Sequence, residues 1–194
     1  GESIAANGFT QVVLERADGK PVTDGLIEVT EQKQVFRFTG VNSRPVPSIN
    51  RGFSAPINLT IEQSERDLEF LMVHDSDLYN RWHAAQTLAS RTLIEMVDGI
   101  RGGRRVRRGQ KLAKALALSL ADDSLEPAYR AQLITLPSES DIAREIRRDV
   151  DPAAIHEARA SLARTIGKTI NDELSAAYDR FATKGAYLPD AASA

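Results

Sequence analysis

Two prolines one residue apart, in Arg44-Pro45-Val46-Pro47-Ser48, separate a stretch with the period of strands from a stretch with the period of helices. Proline has no amide hydrogen and drives the residue before it into extended conformations. A helix therefore cannot run through this segment, and a central strand is disfavoured. Phe53-Ser54-Ala55-Pro56 follows it, and Ile57 to Ile61 then reads as a strand. The apolar run Leu68 to Val73 reads as one more strand, ended by the polar cluster His74-Asp75-Ser76-Asp77. From Val41 to Ala89 the chain thus reads as a β-to-α junction with rigid corners.

Before the prolines the pattern is that of short strands. Phe9 to Glu15 is apolar and β-branched enough for one, and Ala17-Asp18-Gly19-Lys20-Pro21 is a turn. Leu26 to Thr30 is expected as a second strand and Val35 to Phe38 as a third, with Phe36 and Phe38 on one face. Several short strands separated by turns suggest part of an antiparallel sandwich. Phe36, Phe38, Phe53 and Phe70 are expected in the sandwich and junction core.

From Asp77 the period becomes helical. Leu78, Trp82, Ala85, Ala89, Leu93 and Met96 draw one apolar stripe, with Asp75 or Asp77 as the cap and Gly99 just past the expected end. Trp82 reads as a core anchor on that stripe. Gln110 to Leu120 predicts a second helix with Leu112, Ala115, Leu116 and Ser119 inward. Pro127 opens a third helix through Ile134, where a missing amide hydrogen costs least. Ser138 caps a fourth, with Asp141 at capping-box spacing. Asp151-Pro152 starts a long fifth helix whose stripe runs Ile155, Ala158, Leu162, Ile166, Ile170, Leu174, Ala177 and Phe181, ended by Gly185 and Pro189. Helices joined by short loops predict stacked helical hairpins of the solenoid kind.

Composition excludes several functions. There are no cysteines, which removes disulfides, thiolate zinc sites and cysteine nucleophiles and suits a reducing, cytoplasmic compartment. The formal charge of −2 gives no whole-chain field for nucleic acid or anionic membrane. No apolar run approaches the roughly 18 residues of a membrane span. The start at Gly1 reads as a processed end or a tag scar.

The chain carries three histidines. His156-Glu157 begins the zincin pattern His-Glu-x-x-His, but the position of the second ligand is Ala160, so no zinc motif is present. His74 with Asp75 and Asp77 reads as helix-start polarity and not as a metal cluster, because such side chains accept from free backbone amides. His83 reads as packed or solvated. There is no Gly-x-Ser-x-Gly elbow and no phosphate loop. Arg101, Arg104, Arg105, Arg107 and Arg108 crowd together among glycines, but no aromatic residue is interleaved for base stacking, so a solvated inter-helix loop is expected.

The motifs Arg44-Pro45-Val46-Pro47-Ser48, Phe53-Ser54-Ala55-Pro56, Leu68-Glu69-Phe70-Leu71-Met72 and Asn80-Arg81-Trp82-His83-Ala84-Ala85-Gln86-Thr87-Leu88 occur here in order. Looser matches follow at Leu133-Ile134-Thr135-Leu136-Pro137-Ser138 and Asp151-Pro152-Ala153-Ala154-Ile155. The set resembles the junction between the β-sandwich linker domain and the C-terminal helical domain of the bacterial aminopeptidase N (alanyl aminopeptidase) family of zinc metallopeptidases. The resemblance implies an α+β fragment of a multidomain protein. Residues 1–75 would be a partial, Ig-like antiparallel β-sandwich, and residues 76–194 the N-terminal part of a solenoid-like helical domain. It implies a parent enzyme that removes N-terminal amino acids from peptides. The zinc of that parent sits in a separate upstream domain, and the helical domain shapes the access route. No catalytic, metal or substrate-binding residue is carried over, since none of the family's site motifs lies in this chain, and the chain alone is expected to be inactive. Its partners would be the rest of the parent polypeptide and, through it, peptide substrates, with self-association through an open sheet edge. The alternative is a free-standing helical adaptor that binds a protein or peptide on its concave face.

Overall fold

The computed structural model describes residues 13–16, 29–39, 43–104 and 108–182. The chain divides into two compact units, residues 1–47 and 48–194. In the first, strand β1 (Val13–Arg16) pairs antiparallel with β2 (Phe36–Thr39), Val13 opposite Thr39 and Arg16 opposite Phe36. β1 overlaps the end of the expected strand Phe9 to Glu15, whose residues 9–12 lie outside the described residues, and β2 overlaps the expected strand Val35 to Phe38. Of the expected strand Leu26 to Thr30, residues 26–28 lie outside the described residues, and Val29 and Thr30 are not in a strand.

The second unit is helical. A short 3-10 turn (Arg51–Phe53) precedes α1 (Glu65–His74), α2 (Leu78–Arg101), α3 (Gln110–Ala121), α4 (Pro127–Ile134), α5 (Glu139–Ile146), α6 (Pro152–Thr169) and α7 (Asn171–Phe181). The run Leu68 to Val73 is helix α1 and not a strand. Ser64 caps it by accepting from the Asp67 amide, while the Asp67 carboxylate accepts from the Ser64 amide, a complete capping box. Leu68, Leu71 and Met72 point inward at i, i+3 and i+4, and Phe70 stays half exposed, so it is not core. Ile57 to Ile61 forms no strand either. Ile57 and Leu59 stand exposed, as does Phe53.

Helix α2 is the spine. Asp77 caps it through the Asn80 amide, and Ala85, Ala89, Leu93 and Met96 are buried along the expected stripe. Its first turn departs from that stripe: Leu78 is exposed and Trp82 only partly buried, so Trp82 is no core anchor. The helix also continues through Gly99, which is buried inside it, to a cap at Gly102. Helix α1 packs on α2, α2 on α6, and α3 on both α1 and α6. Leu68, Met72, Leu93, Leu116, Ile142, Ile155, Leu162 and Ile170 are the largest fully buried apolar groups among the described residues. Each contributes about 1.5–3 kcal/mol of transfer free energy.

The long fifth helix is two. Ile170 leaves helical geometry (φ −119°, ψ 32°) and separates α6 from α7. Thr165 and Thr169 donate back to the carbonyls of Ser161 and Thr165 just before the break. Such back-bonding competes with the helix ladder and bends it. Ile170 itself is buried, whereas α7 buries no residue fully.

Among the described residues two arginines are buried, and each closes a helix end. Arg81 donates Nε to the Met72 carbonyl in the last turn of α1 (3.2 Å) and Nη1 to Asp122 (3.1 Å). Arg130 donates to the Leu125 carbonyl (2.8 Å) and to the Leu120 carbonyl at the end of α3 (3.0 Å). The last carbonyls of a helix have no partner within it, and each guanidinium satisfies one of them while its other donors bond the neighbouring loop.

Candidate functional site

The residues at the start of α2 build the most distinctive surface of the helical unit. Segment 48–56 is tied down on it by polar bonds. Arg51 donates to Asp75 (2.6 Å) and to the Ser76 hydroxyl (2.6 Å). The Gly52 amide donates to Asp77 (2.8 Å), and Asn80 donates to the Ser48 hydroxyl (2.9 Å) and the Ile49 carbonyl (3.1 Å). Asn50 closes the turn by accepting from the Ala55 amide (2.9 Å) and donating to the Ala55 carbonyl (3.1 Å).

The anchor of this clamp is Asp75, whose side chain is 1 % exposed against 45 % for Arg51. Asp75 also accepts from the Asp77 amide (2.9 Å), which orients Asp77 for its capping task. Burial works against ionisation of Asp77, but the Asn80 and Gly52 amides and the Arg51 charge outweigh it and hold its pKa below the ordinary value. The expected capping role of Asp77 is therefore met, while Asp75 serves as an ion-pair partner and closes α1.

The clamp holds Asn50, Gly52 and Phe53 at positive φ (56°, 61° and 54°). For phenylalanine this conformation is strained. Phe53 is 62 % exposed. The Phe53 ring meets Tyr79 edge-on at 6.3 Å, and Tyr79 stacks on His83 at 6.0 Å and tilts against Trp82 at 5.9 Å. The result is a solvent-facing aromatic ledge. Beneath it, the Tyr129 hydroxyl donates to the Leu78 carbonyl (2.5 Å), and burial pushes the phenol up to about 12.

Trp82 also forms one wall of an open groove of about 310 Å³ lined by Gln86, Gln132, Thr135, Leu136, Pro137, Ser138 and Asp141. Gln86 donates to the Thr135 carbonyl and Arg159 to the Pro137 carbonyl (both 2.9 Å), fixing the connection from α4 to α5. Ser138 caps α5 as expected through the Asp141 amide (3.1 Å). The Ser138 hydroxyl and the Arg144 guanidinium keep the Asp141 carboxyl below its ordinary pKa.

The histidines do not assemble. His74 ends α1 against the Phe70 ring (4.9 Å), His83 belongs to the ledge, and Nδ1 of His156 lies 2.8 Å from Glu139. Among the described residues, no three His, Cys, Asp or Glu side chains cluster as a metal site requires. Of the basic run, Arg105 and Arg107 lie outside the described residues. Arg101 and Arg104 are exposed, and Arg108 pairs with Glu95 (3.0 Å) and Glu65 (3.7 Å). Among the described residues no helix is long and apolar enough to cross a membrane.

Sequence reasoning missed the ledge and the clamp. The only signal available was the proximity of Arg51 and Gly52 to two aspartates in an unrelated part of the chain, which one sequence cannot pair.

Comparison with known proteins agrees with this architecture. Residues 65–194 match the family described as "Domain of unknown function (DUF3458_C) ARM repeats", and residues 10–62 match "Domain of unknown function (DUF3458) Ig-like fold". The chain is 37 % identical over 182 residues to aminopeptidase N of Caulobacter vibrioides, covering 93 % of this chain and 21 % of that protein. It is 35 % identical over 169 residues to aminopeptidase N of Escherichia coli, covering 87 % of this chain and 19 % of that protein. The solved structure of Legionella pneumophila aminopeptidase A in complex with aspartic acid superposes with a TM-score of 0.67 at 24 % identity, over 93 % of this chain and 21 % of that one. The chain thus spans about a fifth of the length of the relatives it matches. On these matches the chain belongs to the DUF3458_C ARM-repeat family, with a region that matches the Ig-like DUF3458 family before it, and it is similar over most of its length to one part of the aminopeptidases N.

Proposed function

We propose that this chain is a non-catalytic segment of a metallo-aminopeptidase that removes N-terminal residues from peptides. In this reading the Ig-like region, which ends before α1 and not at residue 75, is part of a sandwich in the parent, and the helices from α1 onward form one wall of the route by which peptides reach the active site. The observation that carries it is the ordered match of both regions to relatives named aminopeptidase N, at 37 % identity over 93 % of the chain. A cytoplasmic location belongs to the same reading, and the absence of cysteine fits it.

Zinc is implied for the parent. The described residues here do not fit it, because they bring no three ligand side chains together and the sequence places Ala160 where His156-Glu157 would need a second histidine. No step of peptide hydrolysis is assigned to this chain. What its residues supply is a rigid frame: a capped α2, two arginine-sealed helix ends and a clamped entry segment.

The test is the size and activity of the native gene product. A band several times larger than 21.3 kDa on a blot of source cells, together with hydrolysis of an aminoacyl-anilide by that polypeptide and none by this chain alone, is expected. A native product the size of this chain would overturn the reading and leave the adaptor alternative.

A further inference from the structure

We propose that α7 is a hinged flap on the helical unit, held shut by a clasp in which the Asp123 carboxylate and the Phe181 ring each engage both Arg130 and Arg180. The device is local and does not depend on the reading of this chain as part of an aminopeptidase.

The hinge is Ile170. Its backbone leaves helical geometry between α6 and α7 while its side chain is buried, so the chain turns about a fixed point. The start of α7 has no side-chain cap, and Thr165 and Thr169 bend the last turns of α6 by bonding back to carbonyls. The flap has 11 residues. A helix that short is marginal in water on its own, so α7 keeps its shape only while docked on α3 and α6. Yet it docks with little apolar burial. Leu174 and Ala177 are only partly buried, Tyr178 and Phe181 are exposed, and no residue of α7 is fully buried.

The clasp holds the far end. Arg180, in the last turn of α7, donates to Oδ1 of Asp123 in the connection from α3 to α4 (2.6 Å). Arg130 of α4 donates to the same oxygen (3.5 Å). Both guanidiniums stand over the Phe181 ring, Arg130 at 5.4 Å and Arg180 at 5.2 Å from its centre. The two halves differ in rigidity. The Arg130 side chain is 5 % exposed and fixed by the Leu120 and Leu125 carbonyls, whereas those of Asp123 and Arg180 stand mostly in solvent. Arg130 thus belongs to the fixed corner between α3 and α4, and Arg180 and Phe181 to the moving helix. An exposed ion pair is weak and screened by salt, and an exposed cation over a ring adds a similar amount. A helix held by such contacts opens alone, below the free energy at which the whole unit unfolds. Opening lifts Phe181 off Arg130, so the flap also governs how water reaches the arginine that closes α3.

Hydrogen exchange on the 194-residue chain, resolved by residue, tests this. It is run at about 10 mM and about 1 M sodium chloride, where charges are respectively little and strongly screened. The α7 amides are expected to exchange at least about tenfold faster, relative to free-peptide rates, than those of Ala158 to Ile166 in α6. Asp123→Ala changes no residue of α7. At low salt it should speed the α7 amides by about two- to fivefold, the factor one exposed ion pair is worth. Salt should produce the same acceleration in the parent chain and almost none in the variant. Phe181→Leu, which keeps an apolar side chain and removes the ring, should also speed α7 by about two- to fivefold. The α6 amides report on the rest of the fold and should stay within about 1.5-fold in both variants. Exchange of α7 at the α6 rate, acceleration of both helices together, or an equal salt response with and without Asp123 overturns the proposal.

Discussion

Replacing Arg51 by alanine removes the cation from a buried carboxylate and leaves it the Asp77 amide as a donor. Asp75 is 1 % exposed in its side chain, and its second oxygen, also buried, makes no hydrogen bond among the described residues. Truncating one partner of a fully buried pair costs about 3–5 kcal/mol, because the other charge stays behind uncompensated. A solvent-exposed pair is worth only about 0.2–1 kcal/mol. Here one partner is buried and the other 45 % exposed, so the expected loss lies between those limits, at about 1–3 kcal/mol. In urea, with a slope of about 1.5–2 kcal/mol/M for a domain of this size, the midpoint should fall by roughly 0.5–2 M. The Asp75→Asn variant gives the cycle. With both replaced, the total should be less than the sum of the single effects, since the asparagine no longer carries the stranded charge. Hydrogen exchange supplies a local readout: the Gly52 and Ala55 amides, now held by Asp77 and Asn50, should exchange faster in Arg51→Ala. A midpoint within about 0.2 M of the parent chain, or strict additivity in the cycle, would refute the argument that Asp75 depends on Arg51.

Two glycines give effects of opposite sign. Gly109 has φ 107°, and a Cβ there would stand 2.3 Å from Cδ1 of the fully buried Leu162, so Gly109→Ala should destabilise by about 2–4 kcal/mol in the same titration. Gly167 lies in α6 with nothing near its would-be Cβ, so Gly167→Ala should stabilise by about 0.5–1 kcal/mol. Tyr129 ties stability to alkaline pH. Its folded pKa of about 12 lies above the ordinary 10, so the neutral form is favoured in the folded state. That stability is present in full below pH 10 and is lost as pH rises toward 12. Discounted for partial exposure it amounts to about 1–2 kcal/mol, and Tyr129→Phe should flatten this alkaline limb of the thermal midpoint. If the open edge of the two-stranded sheet pairs with another copy, light scattering at high concentration will show a dimer or larger. A strictly monomeric species would contradict that expectation.

Helix ends were legible where a side chain of one type does one local job. Asp77, Ser138, Asp151 and Pro127 all open helices where the sequence places them, because capping depends only on residues within one turn. The strand misreading at Leu68 to Val73 had a different origin. A six-residue apolar run fits a buried strand as well as a helix by periodicity alone, and the deciding signal, Ser64 three residues before Asp67, lay outside the run. The join of α6 to α7 was hidden because the stripe from Ile155 to Phe181 keeps its period across the break. Only the acidic first turn of α7, with Asp172 and Glu173, announces a new start.

The clamp and the ledge were hidden for a deeper reason. A positive φ at phenylalanine runs against local preference, and no local rule places it there. It exists because Arg51 and Gly52 reach two aspartates some 25 positions further on, and those contacts overrule what the turn would choose for itself. Arg81 escaped notice in the same way. It lies on the face shared by Ala84, Ala85 and Leu88, where an apolar residue is expected, and it is tolerated only because the Met72 carbonyl and Asp122 receive its protons. Both features break local rules through long-range polar contacts, but they differ in what they leave outside. The Arg81 contacts seal a helix end and bury the charge, which stability alone explains. The Arg51 contacts hold a turn in which Phe53 keeps a positive φ and stays exposed.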